Sequence, residues 1–147
     1  MTAKECLSQV TNIHQRIEAL ENAIATCYSR AAKSTVTYGD GAGGGSLENK
    51  IEHNVEKIGE YKRKLKELTD NLEKFSYEMT MEINRIPNNT YAALLINKYI
   101  CDDTWATVAE KIGKSEDYVK RELHGMALNE FERIVMTTPR YPLVFPL

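Results

Sequence analysis

Between Thr104 and His124 the chain gathers the side chains most able to do chemistry. They are the cations Lys111, Lys114, Lys120 and Arg121, the hydroxyls of Thr104 and Ser115, the phenol of Tyr118, the acids Glu116 and Asp117, and His124. No triad and no facing pair of carboxylates stands out, so the chemistry on offer is hydrogen bonding and charge rather than bond making. An arginine can grip both acceptors of a guanine edge, worth roughly 1–3 kcal/mol of discrimination, and Arg121 suits that role. Lys120, Lys114 and Lys111 suit phosphates, while Ser115 and Thr104 offer hydroxyls or helix-start amides to a sugar-phosphate backbone. Glu116 can accept from a cytosine amine or serve the start of its own helix.

Other chemistries find little support. Cys6, Cys27 and Cys101 are far apart, odd in number and form no C-x-x-C, which predicts reduced thiols rather than a disulfide framework. His14, His53 and His124 have no second ligand at metal-binding spacing, so no metal and no cofactor are expected. The run Gly39-Asp40-Gly41-Ala42-Gly43-Gly44-Gly45-Ser46 lacks the Gly-Lys-Ser/Thr of a P-loop and the strand that a dinucleotide fingerprint needs. It reads as a connector that lets the chain double back. The expectation is a protein that is not an enzyme and has no catalytic residues.

The reading side chains must be held by short helices. Pro87-Asn88-Asn89 breaks whatever precedes it, and Asn89 can cap a helix over Thr90–Ile100 with Tyr91, Leu94, Leu95, Tyr99 and the stem of Lys98 on its buried face. Asp102-Asp103-Thr104 starts a second helix, Trp105–Ile112, which stops at Gly113 in a position that tolerates positive φ. Ser115 caps a third, from Glu116 to about Arg133. Ala109 is small where two helices would cross, Gly113 turns the corner, and Val119 returns to the core beside Val108, Ile112 and Leu123. That spacing is the helix-turn-helix signature. With Val119 and Leu123 inward, Glu116, Asp117, Tyr118, Lys120, Arg121 and His124 are left facing outward.

Before residue 87 the pattern changes. All four prolines lie at or beyond Pro87, and five of the eight glycines lie between Gly39 and Gly45. Ala3, Val10, Ile17, Ile24 and Ala31 recur at heptad position a, with Cys6, Ile13, Leu20 and Cys27 at d, behind a capping box Thr2-Ala3-Lys4-Glu5. Ile51, Ile58, Leu65, Leu72, Met79 and Ile86 repeat the pattern at a, with Tyr61, Leu68 and Phe75 at d and the polar exceptions Asn54 and Glu82. The rods would be ~46 and ~60 Å long. A strict seven-residue repeat predicts a left-handed coiled coil.

The predicted fold is therefore all-α: a long antiparallel coiled-coil helical hairpin, followed by a three-helix helix-turn-helix domain. The hairpin takes residues 1–86 with its glycine-rich loop at 34–46, the helix-turn-helix 87–133, and a proline-rich tail 134–147. The tail could dock or fray. The hairpin's seam could close internally or recruit a second chain into a homodimer, and the 13-residue loop leaves both arrangements open. No apolar run approaches the ~20 residues that span a bilayer, and the start is not a signal peptide, so a cytoplasmic location with no membrane partner is expected.

The charge balance sets a limit. The 147 residues carry 19 basic and 21 acidic side chains, a formal net charge of −2. Residues 87–147 carry seven basic against eight acidic groups, net −1. DNA-binding modules usually present a basic face, so few phosphate contacts and weak binding by an isolated chain are expected.

Thr104-Trp105-Ala106-Thr107-Val108-Ala109-Glu110-Lys111-Ile112-Gly113-Lys114-Ser115-Glu116-Asp117-Tyr118-Val119 resembles the −35-reading helix-turn-helix of bacterial sigma factors, region 4. The opening MTAKE-LSQ and the later Y-V…L-H-G-M-A-L resemble small phage and prophage proteins described as sigma-factor-like or late-gene transcriptional regulators, the ArpU/RinA type. The resemblance spans most of the chain. It implies binding of double-stranded DNA, control of phage transcription in a bacterial host cell, and host RNA polymerase as a partner. One departure stands out: the family spaces Val-x-x-Leu-His-Gly, whereas Val119-Lys120-Arg121-Glu122-Leu123-His124 holds one residue more. Positions i+3 and i+4 share a helical face, so the groove-facing set is open by one position. Two alternatives stand beside this reading. One is a DNA-binding assembly protein like a small terminase subunit, though those usually place the DNA module first. The other is a coiled-coil interaction protein that never touches DNA.

Overall fold

Thr2 and Glu5 begin the first helix reciprocally. The Thr2 amide donates to Glu5 Oε2 at 2.7 Å and the Glu5 amide to Thr2 Oγ1 at 3.2 Å, which satisfies two amides that the first turn leaves without helical partners. Hydrogen bonding from the Thr2 amide first, and from the Thr2 hydroxyl second, holds the Glu5 carboxyl below its ordinary pKa. The protein is described from a computed structural model over residues 1–36 and 44–137, with side chains over 1–32 and 52–137. Every regular element among the described residues is helical. Helix α1 spans Ala3–Val36 and α2 spans Gly44–Ile83. The helices thus extend into the predicted loop from both sides, and its residues 37–43 lie outside those described, as does the tail beyond Thr137.

The heptad seams carry the burial that the sequence requires of them. Ala3, Cys6, Val10, Ile13 and Cys27 on α1 are buried, as are Ile58, Leu68, Phe75 and Met79 on α2, while the remaining described seam positions within the two helices are half-buried. Two further residues, Leu7 and Ile83, sit at heptad position e yet are fully buried. Both belong to a compact unit formed by Met1–His14 with the chain from Leu72 onward; Gln15–Asn71 forms the other unit. The division thus falls within the long helices rather than at Pro87. In the first unit a two-position seam widens into the broader stripe of a helix packed in a globular core. Each fully buried Leu, Ile or Val there stabilises by about 1.5–3 kcal/mol. In the second unit Lys62 Nζ donates to Tyr28 Oη at 2.9 Å, joining α1 to α2.

After α2 the chain turns at Asn84–Arg85 and Ile86 is buried. Helix α3, Asn89–Leu95, is capped by Asn88 rather than Asn89: Asn88 Oδ1 accepts from the amides of Thr90 at 3.0 Å and Tyr91 at 3.1 Å. Asn88 leads Pro87 out of the break with an extended backbone, which a cap requires and a first helical residue cannot have. The helix runs into a π turn, π1, at Ile96–Ile100. Asp102 then takes positive φ (54°), a conformation short polar residues tolerate. Helix α4 is Trp105–Ile112, followed by α5 at Glu116–Tyr118, a second π turn, π2, at Val119–Leu123, and α6 at His124–Ile134.

These short helices and the first turns of α1 share one core. Leu94, Leu95, Val108, Val119, Ala127, Phe131 and Val135 are buried to completion beside Leu7, Val10 and Ile83. Polar contacts tie the same pieces. The Ala3 amide donates to Glu132 Oε1 at 3.3 Å, His14 Nε2 lies 3.3 Å from the Ile100 carbonyl, and Arg85 Nη2 donates to the Ile134 carbonyl at 3.3 Å.

Candidate nucleic-acid interface

The corner between α4 and α5 follows from four residues. Thr104 Oγ1 accepts from the Thr107 amide at 3.3 Å and so caps α4. Gly113 ends that helix at φ 77°, and its amide reaches the carbonyls of Ala109 and Glu110 while the Lys114 amide reaches Ala109 at 3.1 Å. This is a Schellman ending, which needs a left-handed residue and therefore favours glycine. Ser115 Oγ accepts from the Tyr118 amide at 3.3 Å and starts α5. Ala109, Val119 and Leu123 are buried, as their spacing predicts, and Ile112 is half-buried.

Outside that corner the expected reading residues fall into distinct groups. Glu116, Asp117, Tyr118, Lys120 and Arg121 are all exposed on the outer face of α5 and π2, with Lys114 exposed at the turn. Arg121 Nε pairs with Asp117 Oδ1 at 3.0 Å, with both side chains about three-quarters exposed (78% and 73%). So open a pair is worth little in water, and a phosphate or guanine edge can displace it. Lys111 is engaged with Asp103 Oδ2 at 2.6 Å, a bond that raises its pKa. The hydroxyls of Thr104 and Ser115 accept from their own helices, so their first role is to cap.

His124 departs from expectation. It does not face outward: its ring is half-buried, and Nε2 lies 2.6 Å from Oη of the buried Tyr99. The Trp105 ring packs against the imidazole in an edge-to-face arrangement with centroids 4.7 Å apart. Burial, with the charges of Lys4 and Lys98, pushes the imidazole pKa down to about 4. Burial likewise raises the Tyr99 phenol to about 12, so the pair is neutral near pH 7. The reason is packing: His124 follows Leu123 on the inner side of the helix, and the aromatic residues of π1 and α4 enclose it.

Lys98 lies with Nζ 4.6 Å from the centre of the Trp105 ring and donates to the Asp103 carbonyl at 3.2 Å. Sequence reasoning placed its stem correctly but missed this Tyr99–His124–Trp105–Lys98 cluster. Lys98 and Tyr99 come from π1, Trp105 from α4 and His124 from α6, and no periodicity links these three segments.

Among the described residues no group of three or more His, Cys, Asp or Glu side chains could hold a metal ion. No described helix is long and apolar enough to cross a membrane. No family model, no curated protein and no solved structure matches this chain.

Proposed function

We propose that the protein is a DNA-binding transcription regulator of the phage or prophage kind, reading double-stranded promoter DNA through a helix-turn-helix made of α4, the Gly113 corner and the helix that begins at Ser115. The observation that carries this reading is the capped corner, with Ala109 and Val119 buried behind it and Lys114, Lys120 and Arg121 exposed in front. In that motif the second helix enters the major groove with its first turns against base edges. Arg121 then reads a guanine, and Lys114 and Lys120 hold phosphates.

The alternation of acids with these cations keeps the face near neutral, so binding by the chain alone is weak and a partner on the DNA compensates. We assign that role to host RNA polymerase, or to a second copy joined through the antiparallel coiled-coil hairpin of α1 and α2. Half-buried seam residues such as Ile17, Leu20, Ile24 and Leu65 favour a second copy, since a two-helix hairpin alone leaves them partly in water.

The test is footprinting of the full chain on bacterial and phage promoter fragments, with and without RNA polymerase, beside the Lys120→Ala/Arg121→Ala variant. Protection that strengthens with polymerase and fails in the variant supports the reading. Equal behaviour of parent and variant, with the fold intact, leaves an interaction protein that does not read DNA. A ring of many subunits in light scattering points instead to an assembly protein of the small-terminase kind.

A further inference from the structure

The helix that presents Lys120 and Arg121 is interrupted by π2, which the His124 amide closes by donating to the Val119 carbonyl, five residues back. Its buried stripe is Val119, Leu123, Ala127, Phe131 and Val135, each four residues after the last. In an uninterrupted α-helix each such step overshoots a full turn by ~40°, so the four steps would wind the stripe ~160° around the rod. A wider turn at the start takes back one of those overshoots. It holds one more residue than an α turn without disturbing the helix after it. That residue lies on the exposed run Lys120, Arg121 and Glu122.

The residue that closes the wide turn is also the one held from outside. His124 is hydrogen-bonded to Tyr99 and packed on by Trp105. Tyr99 itself lies in π1, which the Cys101 amide closes on the Ile96 carbonyl at 3.0 Å.

We propose that π2 is a specificity device: a one-residue insertion in the reading helix, clamped through His124 by Tyr99 and Trp105, that sets the direction in which Lys120 and Arg121 leave the surface while the core beyond keeps its register. The specificity part rests on the DNA reading above; the register part stands without it. Tyr99 and His124 are positioning residues that act through the helix.

Two deletions in the full chain test the register. Deleting Glu122 turns π2 into an ordinary α turn, so Leu123, His124, Ala127, Phe131 and Val135 stay in place. The melting temperature is expected to stay within about 5 °C of the parent, and the His124 ring to keep its nuclear Overhauser contacts to Tyr99 and Trp105. Deleting Asn129 removes a residue from plain α-helix, turns Phe131 and Val135 by ~100°, and is expected to abolish cooperative melting of that unit. If the Glu122 deletion is as damaging as the Asn129 deletion, the proposal is overturned.

Selection from a randomised duplex pool tests specificity. The Glu122 deletion is expected to change the preferred base at the position Arg121 reads, and Tyr99→Phe to broaden preference at that position without altering the salt dependence of binding. An unchanged consensus in the folded deletion variant, or a uniform loss across all duplexes in Tyr99→Phe, overturns the positioning role. Capture of no duplex by the parent overturns the DNA reading alone, and the two melting and ring-contact comparisons still decide the register.

Discussion

Tyr99 Oη and His124 Nε2 lie 2.6 Å apart, and their hydrogen bond joins the wide turn that follows α3 to the wide turn in the helix beyond Gly113. The bond is formed between two neutral groups, both of which burial drives toward their uncharged forms.

Stability should therefore fall in acid through His124. Its pKa is lowered in the fold to about 4, against an ordinary value near 6.5 in the unfolded chain. Its contribution is present in full above about pH 6.5 and is lost as pH falls toward about 4, because the unfolded chain takes up the proton first. With the ring only half-buried, solvent screening reduces the effect to about 1–2 kcal/mol. Urea unfolding at pH 7 and pH 4.5 should show a loss of that size, and His124→Gln should flatten the difference. An equal pH dependence in both chains would refute the assignment.

Gly113 and the helical glycines should respond in opposite directions to alanine. A Cβ at Gly113, Gly59 or Gly125 meets nothing within 4 Å, so only backbone preference acts. At φ 77° alanine costs about 1–2 kcal/mol, whereas within α2 or α6 it stabilises by about 0.5–1 kcal/mol. Thermal melts of Gly113→Ala, Gly59→Ala and Gly125→Ala check the signs.

Asp117 restrains Arg121 in the free protein. Asp117→Asn should tighten binding to DNA severalfold at low salt, and Arg121→Ala should weaken it and relax preference at one base position. Lys120→Ala should instead lower affinity for all duplexes and reduce the slope of log K against log salt by about 1. Fluorescence anisotropy over a salt series reads all three.

The hydroxyls of Thr104 and Ser115 start helices. Replacing either with alanine should cost about 1 kcal/mol of stability, seen as a lower urea midpoint with an unchanged slope. Replacement with Asn or Asp, which also cap, should restore it.

Met1–His14 completes the unit that carries α3 to α6. Leu7→Ala should cost about 2–5 kcal/mol, and a chain lacking those residues should lose cooperative melting of that unit. A stable fragment of residues 87–137 alone would contradict this.

Much of this molecule is legible from local rules. The caps at Thr2, Thr104 and Ser115, the positive φ at Gly113 and the helix Trp105–Ile112 each depend on a few adjacent residues, and each stands where the spacing puts it. The seam of α1 and α2 is equally local, because a heptad repeat specifies its own buried stripe. The extra residue between Val119 and Leu123 was visible as a change of spacing, but not its form as a wide turn.

Contacts between distant segments were not legible. Leu7 and Ile83 look like flank positions of a coiled coil until the compact unit they share buries them, and His124 looks like a reading residue until Tyr99 and Trp105 pack against it. Periodicity and capping act over one or two turns, so the sequence by itself determined where helices start, stop and carry apolar faces. Which of those faces meet is settled by competition for burial among segments far apart in the chain, and only the tertiary structure decided that the first fourteen residues belong with the last helices.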